Sequence, residues 1–243
     1  MAPSSFLISM RDVSLHVDGK TLLSQITVNA NERRIGIVGR NGSGKTTLAR
    51  VLAGLVPATE GSVKIAGIDV ARDRKGALGR IGILFQNPDH QIIFPTVEEE
   101  IAFGLTQMGQ SADEAAQGVA QILAQFDKSH WAKAAIHQLS QGQRQLVCLM
   151  SVLVMAPSVI ILDEPFAGLD IPTTKQLARL LAGLDVTLVL ITHDPDVLRD
   201  YDRVLWIDSG VIVQDDNPAP VLAAFEARMD HIGDSDDLSH LAG

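Results

Sequence analysis

The stretch that most restricts this chain is "RIGIVGRNGSGKT", residues 34–46. Its first half is apolar on both pleat faces, which predicts a central strand buried from both sides. Its second half fits G-x-x-x-x-G-K-[ST]. In such a loop the glycines let successive N–H groups turn inward toward phosphate oxygens. The helix that opens there adds its positive end. Lys45 is expected to act as a mobile point charge for the β- and γ-phosphates, and the Thr46 hydroxyl as a hard oxygen ligand for Mg²⁺. The predicted nucleotide-binding set is Gly39, Arg40, Asn41, Gly42, Ser43, Gly44, Lys45, Thr46 and Thr47.

A second stretch, "VIILDEP" at 159–165, reads as a buried strand ending in two carboxylates. Beside a phosphate loop these take distinct roles. Asp163 is expected to hold Mg²⁺, directly or through water. Glu164 is expected to act as general base on the attacking water, a role worth about 10²–10⁴-fold in rate. A carboxylate suits that role because it only accepts hydrogen bonds.

Composition narrows the partners. The net charge is −9, and only 4% of residues are aromatic, with a single tyrosine. Neither a basic duplex-binding surface nor a stacking surface for single strands is expected, so no nucleic acid partner is predicted. The one basic run, "ARDRKGALGR" at 71–80, reads as a solvated face. Cys148 is the only cysteine, which excludes an internal disulfide, and its apolar surroundings predict a buried, inert thiol. "MAPSSFLISMRDVS" lacks the basic start and apolar core of a secretory signal. The uncharged run Leu146–Leu162 is short for a membrane span and is interrupted by Pro157. It reads as a buried helix to about Met155, a turn, then a strand, and the protein is expected to be soluble by itself.

Along the chain, "FLISMRDVSLHV", "TLLSQITVNA" and "RRIGIVG" predict strands, with a turn at Asp18-Gly19. A helix from the glycine loop should end at Gly54 and Pro57. Strands follow near "GSVKIAGIDV" and "RIGILFQ". Residues 96–155 are helical in spacing, with Thr96 capping one helix and Ser111, with Glu114, capping another. Strand and helix then alternate through "SVIILDEP" and "VTLVLITH", and "RVLWIDSGVIVQ" predicts a hairpin turning at Ser209-Gly210. The end of the chain is acidic and reads as a frayed tail.

Further pieces fall in order: Gln86 ending the strand "RIGILFQ", Ser140-Gln141-Gly142-Gln143 opening a helix, "AGLD" at 167–170, and His193 ending the next strand, "VTLVLITH". Together they resemble the ATPase subunit of ATP-binding cassette (ABC) proteins, over about residues 5–225. The resemblance implies an α/β P-loop NTPase with a RecA-like core, an antiparallel β subdomain and a helical subdomain. In one domain spanning 1–243, the nucleotide-binding core is 1–86 and 158–225, the helical and signature subdomain is 87–157, and 226–243 is a short acidic tail.

The resemblance also implies that two subunits pack head to tail, each closing the other's ATP. Ser140, Gln141, Gly142 and Gln143 then face the γ-phosphate bound by the partner. Ser140 offers a hydroxyl and Gly142 a closely approaching N–H. Asp170 aligns the two sites, and His193 holds the γ-phosphate and the water. Gln86 touches Mg²⁺ and carries strain toward a partner. Gln141 stands where the family usually has glycine. The aromatic residue that normally stacks on adenine near "VSLHVDG" is replaced by His16 and Val17, so base selectivity is expected to be weak.

Finally, "FQNPDHQIIFPTVEEEIAFGL" at 85–105 resembles the energy-coupling factor (ECF) class of vitamin and metal-ion importers. Within it, "NERRIGIVGRNGSGKTTLAR" looks most like the ATPases of biotin transporters, with cobalt, nickel or another vitamin as alternatives. The class implies a transmembrane coupling protein, a substrate-binding membrane protein and a place at the cytoplasmic face of the membrane. A groove near Gln86 to Phe103, with Ile92, Ile93, Phe94 and Phe103 as its apolar members, should grip the coupling protein. A homodimer is sufficient, though one subgroup pairs two different ATPases. A non-transport ABC ATPase acting on nucleic acid or ribosomes is the rival, disfavoured by a single cassette without a heptad run. A switch GTPase lacks its Asn-Lys-x-Asp motif here.

Overall fold

The computed structural model describes residues 6–235; residues 1–5 and 236–243 lie outside it. Two sheets organise the chain. The first is antiparallel, in the order β2-β1-β4-β5: β1 (Ile8–Val17), β2 (Lys20–Ala30), β4 (Glu60–Ile65) and β5 (Ile68–Asp69). The β1–β2 turn places Asp18 and Gly19 both at positive φ, 49° and 76°. That is the backbone a two-residue hairpin requires, and Asp-Gly tolerates it.

The second sheet is six-stranded, in the order β10-β9-β3-β8-β7-β6. Strands β3 (Arg34–Val38), β6 (Ile81–Leu84), β7 (Val159–Asp163), β8 (Thr187–Thr192) and β9 (Arg203–Asp208) run parallel. β10 (Val211–Asp216) closes one edge as an antiparallel hairpin, turning at Ser209 and Gly210. Every residue of β7 and β8 is buried, as two covered faces demand. Alternate residues serve opposite layers. Ile35, Ile37, Ile161, Val189 and Ile191 pack with α1 (Lys45–Leu52) and the antiparallel sheet. Ile160, Leu162, Leu188, Leu190 and Trp206 pack beneath α5 (Gln141–Leu153), α6 (Ile171–Ala182) and α7 (Pro218–Ser235).

Helices α3 (Val97–Gln107) and α4 (Ala112–Gln125) join α5 around a separate core of Val97, Ile101, Leu123, Val147 and Met150. The Ser111–Glu114 capping box forms as expected: Ser111 N–H donates to Glu114 at 2.8 Å and Glu114 N–H to Ser111 Oγ at 3.3 Å. Thr96 does sit at the cap position of α3, but its hydroxyl donates to Glu99 at 2.5 Å instead of accepting a backbone N–H. The basic run at 71–80 is solvated; Arg72, Arg74, Lys75 and Arg80 are all exposed, around a short helix α2 (Arg74–Leu78) capped by Asp73.

The stretch read as a tail from residue 226 is helical as far as Ser235. Phe225 and Met229 of α7 reach the core beside Trp206, so apolar spacing within an acidic segment was enough to dock it. No described helix is long and apolar enough to cross a membrane.

Candidate active site

All the predicted site residues outside α5 and the loop before α6 follow the carboxyl ends of parallel strands. β3 leads into Gly39, β6 to Gln86, β7 to Asp163 and Glu164, and β8 to His193. Ligands of open α/β sheets bind there because the helix starts and loop N–H groups converge at that edge.

The glycine loop is shaped by close contacts. A β-carbon on Gly39 would lie 2.3 Å from Ile207 O and 2.6 Å from Ser43 Oγ. Gly42 and Gly44 adopt φ of 81° and 107°, which side chains resist. Gly44 caps α1, whose first turn carries no acidic residue. Ser43 Oγ is buried without a hydrogen-bond partner. A buried hydroxyl with nothing to bond, in a glycine-rich loop that opens a helix, fits a phosphate-binding loop.

Lys45 is not the mobile charge expected from sequence. Its side chain is buried and its Nζ donates to Gly39 O at 2.7 Å and Arg40 O at 2.8 Å. Burial lowers its pKa, against the pull of Glu164 and Asp163. Thr46 Oγ1 donates to Asp163 Oδ1 at 3.2 Å, which brings together two of the predicted metal ligands. Burial raises the Asp163 pKa; the Thr46 hydrogen bond opposes that shift, and Glu164 adds to it.

Glu164 breaks the strand. Its φ is +49°, in the left-handed region, a strained state for a residue with a side chain. In a regular strand consecutive side chains point to opposite faces. The break lets Glu164 line the same cavity as Thr46, directly after Asp163 contacts that threonine. Its Oε1 accepts from His193 Nδ1 at 2.8 Å, and its Oε2 from Thr192 Oγ1 at 3.1 Å. The carboxylate is therefore aimed from two sides, and His193 Nε2 is left for another partner.

These groups surround a cavity of about 450 Å³, lined by Asn41, Gly42, Gly44 to Thr47, Gln86, Glu164 and His193. Gln86 lies two residues beyond the end of β6, exposed, instead of ending the strand. Thr21, Leu22, Ser209 and Gly210 also line it, and sequence reasoning missed them. They come from two hairpins far apart in sequence; Gly210 was legible only as a turn. A β-carbon on Gly210 would sit 2.5 Å from Leu22 O, so glycine is what lets the hairpins meet. His16 is exposed and its Nδ1 lies 3.0 Å from Thr21 Oγ1, which puts it one residue behind the cavity wall.

Ser140 to Gln143 do not line this cavity. They form the start of α5. Ser140 Oγ accepts from Gln143 N–H at 3.3 Å and Gln143 Oε1 from Ser140 N–H at 2.8 Å, a capping box that occupies both side chains. Gly142 faces α6: a β-carbon there would lie 2.3 Å from Thr173 Cγ2 of the same chain. Gln141 turns inward, its Nε2 donating to Ala167 O at 3.2 Å. Asp170 caps α6, accepting from Thr173 N–H at 2.8 Å; the Thr173 hydroxyl first and this N–H second hold its pKa low.

Beyond the cavity, a groove of about 480 Å³ lies between α3, the end of α5, α2, β6 and the turn after α1, with Gln91 and Ile93 at its edge. Ile93 is 67% exposed at its edge and Phe103 lines it. Phe94 packs against Phe103 with ring centres 5.2 Å apart and planes tilted by 47°, and Ile92 is taken into the core. Glu100, in the first turn of α3, is buried in the groove wall. Its Oε2 accepts from Ile93 and Phe94 N–H, each at 2.9 Å.

A phosphate loop, an acidic strand end and a second, outward-facing helix start define an ATP-hydrolysing subunit of the ABC class. The family model described as "ABC transporter" matches residues 23–167, and the chain belongs to that family. It is 50% identical to the biotin transport ATP-binding protein BioM of Rhodobacter capsulatus, over 91% of this chain and 95% of that protein. It is 40% identical to the energy-coupling factor transporter ATP-binding protein EcfA1 of Levilactobacillus brevis, over 80% of this chain and 71% of that protein. Among solved structures it resembles a dimeric ATP-binding cassette in a post-hydrolysis state bound to ADP and Pi. That match has a TM-score of 0.76 and 25% identity, over 87% of this chain and 98% of the other. The chain is an ATPase subunit of the ABC transporter family, with relatives in ECF-type importers.

Proposed function

We propose that two copies of this chain, packed head to tail, hydrolyse ATP at their shared interface and so drive an ECF importer, with biotin as the cargo. The observation that carries the catalytic part is the Glu164 carboxylate, held by His193 and Thr192 on the wall of the glycine-loop cavity. Two of its lone-pair sites remain for a water. Glu164 orients that water toward the γ-phosphate and takes its proton; His193 supports the same oxygens. The N–H groups of Gly42 to Thr47 and the positive end of α1 receive the phosphates. Thr46 and Asp163, with Gln86 nearby, would hold Mg²⁺, which when bound neutralises charge on the phosphate oxygens.

The dimer is supported by an incompleteness. The start of α5 is exposed at Ser140 and has no acidic residue in its first turn, yet it lies away from its own chain's cavity. A second copy related by a two-fold axis brings that helix end onto the γ-phosphate. Asp170 then stands between the two sites. Loss of the γ-phosphate removes the shared contact and the pair opens.

The groove of Ile93, Phe103 and Glu100 is suited to a helix of a transmembrane coupling protein, apolar with a basic group for the buried carboxylate. A separate membrane protein binds the cargo, and the ATPase pair lies peripherally at the cytoplasmic face. BioM gives the biotin reading its support; cobalt, nickel or another vitamin are the alternatives, resolved by uptake of each labelled cargo with the co-purified membrane proteins. Glu164→Gln should lower turnover by at least about 100-fold while ATP makes the dimer persist on gel filtration. Near-normal turnover would remove Glu164 as the base, and a fully active monomer would remove the two-copy arrangement.

A further inference from the structure

We propose that Gln141 is a positioning residue for hydrolysis: its carboxamide ties the first turn of α5 to the loop that carries Glu164. The link is short. Gln141 Nε2 donates to Ala167 O at 3.2 Å, and Ala167 N–H donates to Glu164 O at 3.1 Å. One residue, Ala167, therefore joins the helix start to the backbone of the base through its C=O and its N–H. Contact reinforces the bond. Gly168, at φ +74°, lies against the same carboxamide; a β-carbon there would sit 2.8 Å from Gln141 Nε2.

Helix capping does not require this side chain. Ser140 and Gln143 already satisfy the start of α5 between them. Nor does Gln141 line the glycine-loop cavity. Its amide spends its bonding on the loop after β7, and glycine, the residue usual at this place in the family, could not make the link.

The consequence rests on the reading that α5 closes on a neighbour's nucleotide. Each chain's α5 then touches the ATP bound by the other copy, while its Gln141 holds the loop of Glu164, which acts on its own ATP. One carboxamide per chain couples the two sites. A change of state at one is transmitted to the base at the other through a rigid chain of two hydrogen bonds.

The test uses the full-length chain and measures ATP hydrolysis against ATP concentration, with binding of a fluorescent ADP analogue as the control for the phosphate loop. Gln141→Met keeps length and bulk but cannot donate; Gln141→Ala removes both. Each should lower kcat about five- to tenfold, the scale of one positioning hydrogen bond. Each should bring the Hill coefficient toward one and leave the affinity for the ADP analogue unchanged. Gly168→Ala should cost less activity in the Gln141→Ala background than in the wild type, because the clash is gone while the strain at positive φ is common to both. Gln141→Met with wild-type kcat and Hill coefficient overturns the coupling, as does strict additivity with Gly168→Ala. A wild-type chain that forms no ATP-dependent dimer overturns the two-copy reading instead.

Discussion

Gly142→Ala separates two explanations of one glycine. The family resemblance assigns Gly142 to close approach by a neighbour's phosphate. In the fold its α-carbon faces Thr173, and an added methyl would lie 2.3 Å from Thr173 Cγ2. Thr173 is β-branched and sits in the first turn of α6, so it has few rotamers into which to withdraw. Overpacking of this kind costs about 1–3 kcal/mol. For a chain of this size each kcal/mol moves the melting temperature by about 2–4 °C. The nucleotide-free variant should therefore melt about 4–8 °C below the wild type, from a mid-range cost of about 2 kcal/mol. Thr173→Ser deletes only Cγ2 and should restore at least half of that loss. Calorimetry of the two single variants and the double variant reads the result. A Gly142→Ala chain that melts within 1 °C or so of the wild type, or a double variant no better than the single, would return the glycine to a purely intermolecular role.

Burial pushes the Cys148 thiol from 9.0 to about 12. A group whose folded pKa is raised leaves stability intact below the unfolded value, so stability should fall between pH 9 and 12 as the unfolded thiol ionises first. The native thiol should also resist a maleimide at neutral pH and react only on unfolding; fast native labelling would contradict its burial. Ile93→Asp puts a charge on the groove edge and should strip the transmembrane partner in detergent pull-downs while basal ATPase stays within about twofold; each lost apolar contact of this size is worth about 1.5–3 kcal/mol. With Leu22, not an aromatic ring, on the cavity wall, ATP and GTP should be hydrolysed with similar kcat/KM, and Leu22→Tyr should favour tighter nucleotide binding; a strong native preference for ATP would show an unrecognised base contact.

What the sequence by itself determined was local chemistry in order: the glycine loop, the paired carboxylates, the Ser111–Glu114 capping box and the hairpin at Asp18-Gly19. Each depends on a backbone preference or on neighbours within a few residues, so it is written contiguously. The order of Gln86, Ser140, Asp170 and His193 was legible through the resemblance to the ABC family. What only the tertiary structure decided lies between segments distant in the chain. The left-handed turn at Glu164 puts its carboxylate on the cavity wall that Thr46, bonded to Asp163, also lines, and Thr192 and His193 aim it. Lys45 is buried against loop carbonyls, although its motif suggests a free charge. Gln141 meets Ala167 and Gly142 meets Thr173 only because α5 packs across the loop into α6. Those contacts depend on shape at a few ångströms' separation, and no residue pattern along one segment encodes where another segment will lie.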